Sequence, residues 1–108
     1  MSIRYTNNPR VIAFDIRNEI RATPGFSPTW GDDNLITDWR RASIIGANAV
    51  LSTSPNLLVM IGGLNYGLDL KGILKRPVTG LVVKNKLVYT GHFYGFSWIV
   101  PSWSLWTY

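Results

Sequence analysis

Two short stretches carry the side chains best suited to proton chemistry. Asn18-Glu19 closes the run VIAFDIRNE at residues 11–19, and His92-Phe93-Tyr94 closes KLVYTGHFY at residues 86–94. A carboxylate at the mouth of a buried strand is either a cap turned to solvent or an acid set against a substrate. An acid of that kind must be able to give up a proton and take one back, and a partly apolar site or a nearby charge tunes it for the task. The plainer readings stand beside this one. Glu19 can pair with Arg17 or Arg21 in water, Asn18 can be a turn former, His92 a satisfied half-buried histidine, and Tyr94 a rim aromatic.

Bringing such groups together falls to the elements between them. Val11, Ile12, Ala13, Phe14 and Ile16 predict an apolar strand. Residues 21–34, RATPGFSPTWGDDN, hold two Pro and two Gly and read as a loop. It is long for a strand-to-helix connection, and long ordered loops are often functional. From Leu35 the period changes: Leu35, Trp39, Ala42, Ile45 or Gly46, and Ala49 recur at steps of three and four. That spacing predicts an amphipathic helix, capped by Asp32, Asp33 or Asn34 and ended by Ser54-Pro55-Asn56.

LLVMIGG, residues 57–63, is a second apolar strand, and residues 64–78 are weakly periodic and predict one helical turn between loops. KLVYTGHFYG, residues 86–95, is a third strand, with a small hairpin of LVV and KLVY about Lys84-Asn85 as the alternative. Apolar strands joined by helical or long crossovers imply a parallel sheet buried on both faces. In such sheets the working side chains gather at the carboxyl ends of the strands. Both polar stretches sit there, as does Gly62-Gly63-Leu64-Asn65-Tyr66, where backbone or ligand can approach closely.

Composition narrows the chemistry. The 108 residues suit one small domain, and 46% hydrophobic residues with 16% charged ones can build a core. The absence of Cys removes disulfides, thiolate catalysis and thiolate metal sites, and a single His makes a histidine metal site poor. The formal charge of +5 raises nucleic acid as a partner, but the basic residues are scattered, with Arg40-Arg41 and Lys75-Arg76 the only dense pairs, so none is expected. No stretch is apolar enough to span a membrane, and MSIRYTNNPR has no signal-peptide core.

The ordered set NPRVIAFDIRNE, WGDDN before a DWRRA helix, SPNLLVMIGGLNYGLDLKG, RPV and KLVYTGHFYGFSW resembles glycoside hydrolase family 5, on its cellulase side, from about Asn8 to Trp98. The resemblance implies an α/β fold: a partial (β/α)8 TIM barrel of parallel strands with helical crossovers, covering barrel strands four to six. Residues 1–108 would then be a single incomplete domain from the middle of the barrel. The implied activity is hydrolysis of O-glycosyl bonds in a polysaccharide of β-glucan or cellulose type, with no cofactor and no metal. Glu19 is implied as the general acid/base, and Asn18 as the hydrogen-bond partner of the sugar hydroxyl beside the reacting carbon. His92 would orient substrate or the acid/base, and Tyr94 would hold the nucleophile. Trp98 and Trp30 could stack on sugar rings, or simply pack.

The chain departs from the family's pattern in three places. Ile20 stands where Pro usually follows the Asn-Glu pair, and Phe93 where an acidic residue often follows the histidine. The family's nucleophile is a Glu ending the seventh barrel strand, whereas Glu19 is the only Glu in this sequence. A complete barrel takes about 250 residues. The expectation is a piece inactive by itself, with a non-catalytic carbohydrate-binding or remnant barrel fragment as the alternative, prone to self-association through open sheet edges. The family is commonly secreted; with no export signal on this chain, its location is left open.

Overall fold

The computed structural model describes residues 2–6 and 8–93. Three parallel strands, β1 (Ala13–Asp15), β2 (Leu58–Gly62) and β3 (Leu87–Thr90), form one sheet in that order. Ala13 pairs with Leu58 and Asp15 with Met60 on one side of β2, and Val59 through Gly62 pair with Leu87 through Thr90 on the other. The helices are α1 (Ser2–Tyr5), α2 (Trp39–Thr53), the single turn α3 (Leu64–Gly67) and α4 (Lys71–Lys75). The parallel sheet with helical crossovers is as expected. Residues 81–83 do not pair back on β3 as a hairpin; β3 lies parallel to β2.

β2 is central because it is the most apolar run and has a neighbour on each edge. Its alternate residues Val59 and Ile61 are fully buried and cluster with Trp39, Ala47, Val50 and Leu51 of α2. Burying each such side chain contributes about 1.5–3 kcal/mol. Leu58 and Met60, pointing to the other face, are only partly buried. Full burial on both faces is therefore not what the described residues show: α2, the one long helix among them, covers one face.

The helix differs from its predicted phase. It starts at Trp39, and its buried face is Trp39, Ser43, Ala47, Val50 and Leu51; Leu35, Ile45, Ala42 and Ala49 are exposed. Two physical details explain the shift. The Asn34 side chain accepts the N–H groups of Ile36 and Thr37, holding Leu35–Thr37 in a turn that leaves Leu35 and Ile36 in solvent. Ser43, polar by type, is fully buried because its hydroxyl donates to the Arg40 carbonyl one turn earlier at 2.8 Å. Ser54 forms the carboxyl-terminal cap, as its place in the sequence suggests.

The amino-terminal cap is Asp38, not Asp32, Asp33 or Asn34. Its Oδ1 accepts the N–H groups of Gly31 (2.8 Å) and Arg41 (3.1 Å), and its Oδ2 that of Asp33 (2.9 Å). One side chain thus caps α2 and pins the long loop after β1. The indole N–H of Trp39, next in sequence, donates to the Gly62 carbonyl at 2.9 Å and locks the start of α2 to the end of β2. On the opposite flank, the Asn48 amide donates to the Gly80 carbonyl and accepts from the Val82 N–H, and the Tyr89 hydroxyl accepts the Val78 N–H at 2.7 Å. These bonds tie residues 78–82 to α2 and β3 without regular structure.

Burial alone would raise the Asp38 pKa, but hydrogen bonds from the backbone at Gly31, Arg41, Asp33 and Arg40 outweigh it and hold the carboxyl below its ordinary value of 3.8. A pKa depressed in the folded state stabilises the fold fully above the unfolded value, and that contribution is lost as pH falls through the folded value. Asp38→Asn keeps one acceptor but sets an NH2 group against a backbone donor. It should cost about 1–2 kcal/mol near neutral pH. Urea midpoints should show the gap between the two proteins shrinking well below pH 3.8; a gap unchanged by acid would count against this role.

Candidate active site

β1 ends at Asp15, whose Oδ1 accepts the Arg17 N–H and turns the chain out of the sheet. Glu19 lies four residues further on, with φ of 47°, in the left-handed region that a non-glycine residue rarely adopts. β3 ends at Thr90, and His92 follows after Gly91. The third strand is shorter than predicted because the His92 N–H leaves the ladder and donates to the Gly67 carbonyl of α3 at 3.2 Å.

These two departures from regular strand geometry bring Glu19 and His92 together. His92 Nδ1 lies 3.1 Å from Glu19 Oε1, and the two side chains are 25% and 23% exposed. In a site so shielded, a carboxyl–imidazole contact is stronger than in open water. The ring nitrogen and the carboxyl oxygen thereby fix each other's orientation. The solvent pairing of Glu19 with Arg17 or Arg21 is not what forms. Arg21 instead donates to the Glu19 backbone carbonyl at 3.4 Å and lies over the Tyr66 ring at 5.4 Å.

Beside Glu19 a hollow of about 300 Å³ opens between the loop after β1 and the start of α2, lined among others by Arg17, Arg21, Phe26, Ile36 and Asp38. Polar and apolar side chains share its lining about equally, with Arg17, Glu19, Arg21 and Asp38 beside Phe26, Ile36 and Trp39. Asn18 is exposed, one residue before Glu19, and is not part of this lining. Tyr94 and Trp98 lie outside the described residues. Trp30 is a packing residue: its ring lies against Gly72 of α4, and its indole N–H donates to the Arg76 carbonyl at 2.9 Å.

Each Asp is engaged elsewhere. Asp15, Asp32 and Asp69 accept backbone N–H groups two residues ahead, Asp33 pairs with Arg76 at 3.0 Å, and Asp38 is the cap. Sequence reading missed the bridge between the two arms of the site: Tyr66 N–H donates to the Ile20 carbonyl at 2.9 Å, just as the Gly67 carbonyl takes the His92 N–H. Its only visible signal was the Gly and Asn content of GGLNYG.

The family described as Cellulase (glycosyl hydrolase family 5) matches residues 1–104. An endoglucanase of Paenibacillus polymyxa is 39% identical over 103 residues, covering 85% of this chain and 25% of that protein. The major extracellular endoglucanase of Xanthomonas campestris pv. campestris is 31% identical over 112 residues, covering 93% and 22%. The solved catalytic domain of the Xanthomonas enzyme superposes with a TM-score of 0.74 at 31% identity, over 87% of this chain and 29% of that one. An endocellulase from Pyrococcus horikoshii, solved in complex with cellotetraose, gives 0.76 at 28% identity, over 87% and 31%. The chain spans about a quarter of the length of the curated relatives it matches. It belongs to glycosyl hydrolase family 5, and its three parallel strands with their crossovers are part of that family's (β/α)8 barrel.

Proposed function

We propose that this chain supplies the proton-transfer part of a retaining glycosidase site acting on a polysaccharide of β-glucan or cellulose type. The observation that supports this most is the 3.1 Å contact between Glu19 and His92, formed by residues on the segments that follow two different parallel strands. Glu19 protonates the departing glycosidic oxygen, then takes the proton of the attacking water in the second step. His92 fixes the orientation of the carboxyl and accepts or returns charge as that proton moves. Asn18, exposed beside Glu19, bonds the sugar hydroxyl next to the reacting carbon, where the bond strengthens as the oxocarbenium ion forms. In the same reading Tyr94 holds the nucleophile and Trp98 stacks on a sugar ring.

Retention needs a second carboxylate roughly 5–5.5 Å from the first. Glu19 is the sole Glu, and the five Asp serve turns, a cap and an ion pair, so these 108 residues carry the donor without the attacking partner.

Two outcomes test this reading. In a chimera where residues 8–93 replace the matching stretch of the Paenibacillus endoglucanase, Glu19→Gln should lower kcat on cello-oligosaccharides by about 10²–10⁴-fold with KM little changed. Unchanged turnover would remove Glu19 from the acid/base role. The purified 108-residue chain should release no reducing sugar from a soluble cello-oligosaccharide; measurable hydrolysis would mean one of its Asp serves as nucleophile.

A further inference from the structure

The turn that follows the middle strand touches both arms of the site. α3 is not an ordinary helical turn: Asn65 (φ 51°, ψ 61°), Tyr66 (φ 61°, ψ 26°) and Gly67 (φ 80°) are successive residues in or near the left-handed region. That conformation is strained for an L-residue, so two non-glycine residues hold it only where the surroundings enforce it. The enforcing bonds are local and reciprocal. Leu64 and Asp69 exchange N–H to carbonyl bonds at 3.0 and 3.1 Å, and the Leu68 N–H closes on the Asn65 carbonyl at 3.1 Å.

The outward groups of this turn face the Glu19 and His92 arms. The Tyr66 N–H holds the carbonyl of Ile20, the residue after Glu19, and the Gly67 carbonyl holds the N–H of His92. The bare Cα of Gly67 also seats the imidazole: a Cβ there would lie 3.1 Å from His92 Cγ and 3.2 Å from Cδ2. Arg21, also on the Glu19 arm, lies over the Tyr66 ring. Neither arm is held at this height by the sheet, since both have left their strands.

We propose that the left-handed turn Asn65–Gly67 is the positioning device of the site, with Gly67 its central positioning residue, setting how far His92 stands from Glu19. The link to catalysis rests on the reading of Glu19 as acid/base; the geometric claim does not. Gly67 touches no substrate in this account. It acts through His92, and a side chain there would push the ring by a few tenths of an ångström.

The test uses His92 as the only histidine in the 108 residues, so its ring nitrogens give a single set of ¹⁵N resonances in the full chain. Gly67→Asn separates contact from backbone strain, because Asn tolerates positive φ while still presenting a Cβ to the ring. Gly80→Asn is the control, with φ of 76° and nothing within 4 Å of its Cβ. Glu19→Gln defines the direction in which the ring signals move when the carboxylate is lost. Gly67→Asn should shift them in that same direction, while Gly80→Asn leaves them on the parent's. Gly67→Asn signals that stay on the parent's would overturn the proposal, as would Glu19→Gln signals that do not move or an equal shift from Gly80→Asn. A spectral failure leaves the kinetic test of Glu19 standing, and failure of that test leaves the turn's geometry standing.

Discussion

The bond from the Trp39 indole to the Gly62 carbonyl is the constraint on which the site's architecture rests. It is buried, so breaking it strands a polar group away from water rather than exchanging one partner for another. It fixes the first residue of α2 against the last residue of β2. Asp38, one residue earlier, then gathers the loop after β1 by the backbone N–H groups of Gly31 and Asp33, while its bond from the Arg41 N–H caps α2. The left-handed turn starts three residues beyond Gly62. The wall of the hollow, the Glu19 arm and the His92 seat are thus referenced to one strand end.

From that reference point the site is built largely by backbone. Glu19 and His92 each lie beyond regular strand, where a sheet ladder no longer determines their position. Turn hydrogen bonds take over, and they are short-range and directional. A carboxyl–imidazole pair needs such control because its proton transfer depends on separations of a few tenths of an ångström, whereas apolar packing of Val59 or Ile61 tolerates more.

The strands and their parallel arrangement were legible because long apolar runs separated by crossovers leave few alternatives. Asn18-Glu19 and His92 were legible as polar endings on such runs. The phase of α2 was not. Its inner face uses Ser43 and Ala47, while Ile45 points outward, so a hydrophobicity count picks the wrong stripe. Nor was Asp38 legible as the cap in place of Asp32, Asp33 or Asn34, since the choice depends on the Asn34 turn that takes up Leu35 and Ile36. The contact of His92 with Gly67 was invisible for a related reason: positive φ at Asn65 and Tyr66 is imposed by neighbours, not by residue type.

One crowded spot has a further consequence. Gly46 on α2 stands where a Cβ would meet Ile16 Cγ2 at 3.0 Å, and Ile16 is the first residue of the arm that leads to Glu19. Enlarging Gly46 would therefore lever that arm from behind. A helix position with no chemistry of its own is thereby coupled to where the Glu19 arm stands.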